Sequence, residues 1–155
     1  MMRFNLPRLF VLAALVLLLS ANSIQAGQEA ADTSAVVTDI QVSFKLDSRI
    51  TRGMYMGERW VSPPSYESVQ TGGIFVVEAR ATVLGNAGTL STINTAWEAA
   101  DPDMIEVSPH QGMQVTITVK SAGQSSLTVS AQGFSKNLTI KARRSDNAMR
   151  VELIQ

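Results

Sequence analysis

Between Val42 and Ala142 apolar side chains recur at every second position, in one short segment after another. Period two places successive side chains on opposite faces of a pleated strand, so each segment presents one apolar face and one polar face. In "VSFKL", Val42, Phe44 and Leu46 share a face against Ser43 and Lys45. "FVVEARATV" sets Phe75, Val77, Ala79, Ala81 and Val83 against Val76, Glu78, Arg80 and Thr82. "MQVTITVK" sets Met113, Val115, Ile117 and Val119 against Gln114, Thr116, Thr118 and Lys120. "SLTVSA" and "NLTIKA" repeat the pattern with Leu127, Val129 and Ala131, and with Leu138, Ile140 and Ala142. Shorter strands fit around Trp97 and around Ile105 and Val107. Turn signals separate these segments at short intervals: Gly72-Gly73, Gly85 to Gly88, Asp101-Pro102-Asp103, Ser108 to Gly112, Gly123 and Gln132-Gly133. The pattern predicts an all-β, immunoglobulin-like antiparallel sandwich of about seven to nine strands. A last strand is expected over Ala148 to Ile154, with Met149, Val151 and Leu153 inward. It reads as an edge strand completing a sheet, or as an edge offered to a partner.

The ends of the chain set its compartment. Arg3 and Arg8 precede an unbroken apolar run from Leu9 to Leu19, and small and polar residues follow up to Ala26. Eleven apolar residues are too few for an ordinary spanning helix of roughly 20, so residues 1–26 read as an export signal cut after Ala26. Residues 27–35 read as a polar, disordered leader, and residues 36–155 as one domain. Removing 26 of the 155 residues leaves 129, enough to bury a core without metal or disulfide support. There is no cysteine, although an exported chain would be free to form disulfides, so packing alone has to hold the core.

Composition narrows the function classes. With the signal removed, 11 basic face 13 acidic side chains, a formal net charge of −2. That balance gives no footprint for nucleic acid and no polybasic reason to sit on a membrane. His110 is the only histidine, so neither a histidine cluster nor a serine triad with a spare base can be assembled. Asp101, Asp103 and Glu106 could be imagined around calcium, but the run lacks the glycine and longer ligand set of a calcium loop. The expectation is a chain with no catalytic residue, no cofactor and no metal site.

The stretch "ITRGMYMGERWVSPPSY", Ile50 to Tyr66, departs from the alternation. It concentrates tyrosines, tryptophan and arginines, the residue types enriched at the energetic centres of interfaces. Arg52, Tyr55, Arg59, Trp60 and Tyr66 are therefore the candidate contact residues. The competing reading makes Tyr55 and Trp60 part of the core, and Pro63-Pro64 excludes a central strand there.

From Phe75 to Ala142 the chain resembles the bacterial immunoglobulin-like domains of group 2, found in invasin- and intimin-like surface proteins. The carrying residues are Trp97 on a strand and "ADPDMIEV" at Ala100 to Val107. The turn at Gly112, the hairpin "AGQSSLTV" at Ala122 to Val129 and the final "LTIKA" complete the set. The resemblance implies an exported module for protein binding or cell adhesion, periplasmic or extracellular. The partner expected is a protein or polysaccharide of the envelope, with no nucleic acid and no membrane span expected once the signal is cut. Two alternatives stay open: an accessory subunit joined by strand exchange through Val36 to Leu46 or Met149 to Ile154, and a carbohydrate-binding module. Fold resemblance alone does not choose among them.

Overall fold

A computed structural model describes residues 36–47 and 58–155. The candidate residues Arg52 and Tyr55 lie outside the described residues, as do the export signal and the leader. Eleven strands and no helix occur among the described residues, and they form two antiparallel sheets. The strands are β1 (Val37–Lys45), β2 (Trp60–Val61), β3 (Ser65–Thr71), β4 (Phe75–Gly85), β5 (Gly88–Thr89) and β6 (Ala96–Ala99). They continue as β7 (Ile105–Ser108), β8 (Gln114–Val119), β9 (Gly123–Ala131), β10 (Phe134–Ser145) and β11 (Ala148–Ile154). One sheet runs β2-β1-β4-β8-β7, with β5 hairpinned onto β4. The other runs β3-β11-β10-β9-β6.

The order β1-β4-β8-β7 in one sheet and β6-β9-β10 in the other is that of a constant-type immunoglobulin sandwich. Four strands are additions to those seven. The two-residue β2 and β5 and the edge strand β3 carry no clear alternation, which is why the observed count exceeds the expected seven to nine.

The predicted inward residues form the core. Val42, Phe44, Phe75, Ala79, Ala81, Val83, Ile117, Leu127, Val129, Leu138 and Ile140 are fully buried, and both sheets contribute to one cluster. Trp97 sits within it. Its indole Nε1 donates to Thr95 Oγ1 (3.0 Å) and to the Gly112 carbonyl (3.0 Å), so the one polar atom of a large core side chain is satisfied. The β9–β10 hairpin closes on Gln132-Gly133, with φ of 47° and 81°, the left-handed pair that matches strand twist. Gly123 adopts a φ of 151°, which side chains rarely allow, and its surroundings are tight. A Cβ there would lie 3.3 Å from the Met104 sulfur.

One expectation is corrected. The strand Ala148–Ile154 is present with Met149, Val151 and Leu153 fully buried, yet it is not an edge. It pairs with β10 on one side and along its whole length with β3 on the other. Strand exchange through Met149 to Ile154 would have to displace β3. Leu153→Ala should accordingly cost about 2–5 kcal/mol in urea unfolding, the usual range for an interior leucine. A loss below about 1 kcal/mol would make β11 peripheral.

Candidate binding surface

The second half of the aromatic stretch turns a corner. β2 pairs with β1 through Phe44 with Val61 and Lys45 with Trp60. The chain then passes through Ser62-Pro63-Pro64 and enters the other sheet as β3. Two prolines offer no backbone donors, which suits a segment leaving one ladder for another.

Tyr66 is corrected from contact residue to core. It is 7% exposed, and its ring stands 4.9 Å from that of Phe44, joining the two sheets at this side of the sandwich. Burial, more than the neighbouring Asp47, raises its hydroxyl above the ordinary tyrosine value of 10.0, and a hydrogen bond with Ser68 partly offsets the shift.

Trp60 is partly buried on the outer face of the six-stranded sheet, in register with Lys45. The Arg80 guanidinium lies 4.1 Å from its ring centroid, a cation–π contact worth about 0.5–2 kcal/mol. Arg80 also reaches Gln114 Oε1 (3.3 Å), and Gln114 Nε2 donates to Glu78 (3.0 Å). Lys45 Nζ bridges Glu58 (2.9 Å) and Glu78 (3.0 Å). The hydrogen bond from Lys45 holds Glu58 below the usual carboxylate range, with a smaller contribution from the Trp60 N–H. That N–H is close enough to favour the ionised carboxylate but makes no well-formed hydrogen bond, and its nitrogen is buried. Arg59 contributes its carbonyl to Leu46 N (2.9 Å). Apart from that indole N–H, the charged and amide groups pair with one another and fasten β2 to the sheet. With Arg80 over the indole, a sugar could stack on that face only by displacing it, which weighs against the carbohydrate alternative.

The other candidates from sequence resolve simply. Asp101 Oδ1 accepts from the backbone N–H of Asp103 (3.0 Å) and Met104 (3.1 Å), so its carboxylate shapes the β6–β7 turn. No group of three or more potential metal ligands occurs among the described residues. His110 is exposed, and its carbonyl accepts from Trp97 N (2.9 Å).

The four sheet edges differ in how they are finished. On β1, β2 pairs with Phe44 and Lys45, the Asp39 carboxylate accepts from Ile40 N (2.7 Å), and Ser62 Oγ and Gln155 Nε2 both donate to the Val42 carbonyl. The edge named for strand exchange, Val36 to Leu46, is therefore largely capped. β6 and β7 are four residues each. The turn after β7 lies against β6, through Trp97 N to His110 O and Gly112 N to Thr95 O (2.8 Å). A groove of about 620 Å³ lies between β6 and β7, but its floor of Trp97, Ile105 and Val107 is at most 2% exposed.

Among the described residues, the edge of β3 is left open over seven residues. Gly72 N donates to Asn147 O (2.8 Å) and Gln155 N to Pro64 O (2.9 Å), which fixes the phase of the ladder with β11. By the alternation of antiparallel pairs, Tyr66, Ser68 and Gln70 bond to β11, and the N–H and C=O of Ser65, Glu67, Val69 and Thr71 turn away from it. No partner for those outward groups occurs among the described residues. Sequence reasoning missed this edge. The inward positions of "SYESVQT" are Tyr66, Ser68 and Gln70, and two polar residues of three erase the period-two signal. Gln70 has its own task. Its amide pairs with both the N–H (2.9 Å) and the C=O (2.7 Å) of Val76, standing in for a strand where β1 no longer flanks β4.

Comparison with protein-family models, with curated proteins and with solved structures finds no match.

The raised Tyr66 value fixes a sign. A neutral hydroxyl favoured by the fold contributes stability below the unfolded value of 10.0, and this is lost as pH rises through the higher folded value. Tyr66→Phe should therefore lose less stability than the native chain between neutral pH and pH above 10.0, read from urea melts. Parallel losses in both chains would show that the hydroxyl is not held in the core.

Proposed function

We propose that the protein is an exported, non-catalytic, immunoglobulin-like binding or assembly module of the bacterial envelope or extracellular space, and that it recognises its partner by accepting a strand at β3. The N-terminal pattern ending at Ala26 supports export, and the resemblance of Phe75 to Ala142 to group 2 bacterial immunoglobulin-like domains supports an envelope role. The single observation that carries the site is the β3 edge. Among the described residues it stays unpaired over Ser65–Thr71, while β1 is largely capped and β6 and β7 are short. Natural sheets blunt exposed edges because unpaired backbone groups template further pairing. A long edge left open beside three finished ones suits strand addition, in which backbone hydrogen bonds supply affinity and alternate side chains supply selectivity.

Val69→Pro tests this without breaking the fold. The Val69 N–H points out of the ladder, so its loss removes a donor from the open edge alone. A partner captured from envelope extract by the native domain should be lost from the Val69→Pro bait and kept by Trp60→Ala, with each bait first shown to be folded. Loss on Trp60→Ala with retention on Val69→Pro would move recognition to the outer face around Trp60.

A further inference from the structure

We infer that the strand added at β3 is β3 of a second copy of this chain, related by a two-fold axis through Val69. The inference rests on the reading of β3 as the recognition edge and names its occupant.

One of the four large apolar residues exposed among the described residues, Val69, stands on this edge itself. Val69 (50% exposed) lies on β3, and Ile74 (48%) and Val76 (40%) follow the turn after it. The Gln70 amide holds the Val76 backbone beside β3, while the Val76 side chain lies on the outer face of the six-stranded sheet and Val69 on the outer face of the five-stranded one. A half-exposed valine on an edge strand beside unpaired backbone gains burial as well as hydrogen bonds when a strand is added.

The edge is self-complementary in charge. Glu67 is its only ionisable group facing outward, and it is already paired with Arg150 Nη1 at 2.8 Å. In a symmetric antiparallel pairing, the residues that bond across the edge must be drawn from the outward set of Ser65, Glu67, Val69 and Thr71, and the favoured register centres on Val69 because it matches valine with valine. A two-fold axis at Glu67 would set two carboxylates directly opposite, which is unfavourable. An axis at Val69 sets valine against valine and each Glu67 against Thr71 of the second copy. That register uses every outward group of Glu67, Val69 and Thr71, forming about six backbone hydrogen bonds. It also joins two five-stranded sheets into one continuous sheet through an isologous interface. The two mature chains carry a formal charge of only −2 each, so long-range repulsion between copies is small.

The absence of cysteine makes the register directly testable. At the axis the two Val69 Cα atoms would stand about 5.5 Å apart, inside the range a disulfide spans. Two Glu67 Cα atoms would be four residues out of register, about 13 Å apart. Oxidised Val69→Cys should therefore form a disulfide-linked dimer on a non-reducing gel, and Glu67→Cys should not. Sedimentation of the native chain should show a reversible dimer that Val69→Pro and Val69→Lys each weaken by about tenfold or more. Equal cross-linking at both positions, or at neither, overturns the register and with it the two-fold pairing. A native chain that stays monomeric, while its envelope partner is still lost on Val69→Pro, overturns the second copy as occupant and leaves the open-edge reading standing. A monomeric chain whose partner survives Val69→Pro removes both.

Discussion

An open antiparallel sandwich has four edges, and every backbone N–H and C=O on them needs water or a partner. That requirement organises this molecule more than any single side chain does. The seven-strand immunoglobulin arrangement supplies most of the core, β11 and β3 add Met149, Val151, Leu153 and Tyr66 to it, and much of the rest finishes edges. β2, Asp39, Ser62 and Gln155 cap β1, the Gln70 amide replaces a missing strand beside Val76, and the turn through His110 lies against β6.

The segment from Trp60 to Thr71 does much of this work. It begins as a two-residue strand on one sheet, crosses at Pro63-Pro64 and becomes the outermost strand of the other. Tyr66 against Phe44 binds the two sheets where the crossing occurs. The C-terminal residue returns to the same place. Gln155 donates from its side chain to the carbonyls of Val42 (3.0 Å) and Pro63 (2.9 Å), so the last residue fastens β1 to the corner. β11 and β3 together widen the second sheet beyond the immunoglobulin arrangement and move its edge outward to Val69. The aromatic and basic residues that suggested an interface are largely occupied here with one another. Arg80 covers Trp60, and Lys45 is shared by Glu58 and Glu78.

The core strands were legible because their inward positions are apolar without interruption. From Phe75 to Val83 and from Met149 to Leu153, alternation alone names the buried face. What alternation cannot carry is the neighbour of a strand. Nothing in "AMRVELI" distinguishes an edge from an interior position, because burial on one face is the same in both. β3 was illegible for the opposite reason, since Ser68 and Gln70 face inward at the margin of the sandwich, where polar atoms reach water or a backbone partner. Of the candidate residues, Tyr66 proved to be core and Trp60 a partly buried fastening. Composition identifies residues able to make contacts, and only geometry shows whether those contacts are already made within the chain.

The most direct test is backbone amide hydrogen exchange, followed residue by residue across the four edges as protein concentration is raised. The account predicts that Ile40, held by Asp39, is protected at every concentration. It predicts that Glu67, Val69 and Thr71 exchange freely in dilute solution and become protected together as the concentration rises. Protection of those three amides at the lowest concentration would contradict the account, because the β3 edge would then be covered within a single chain.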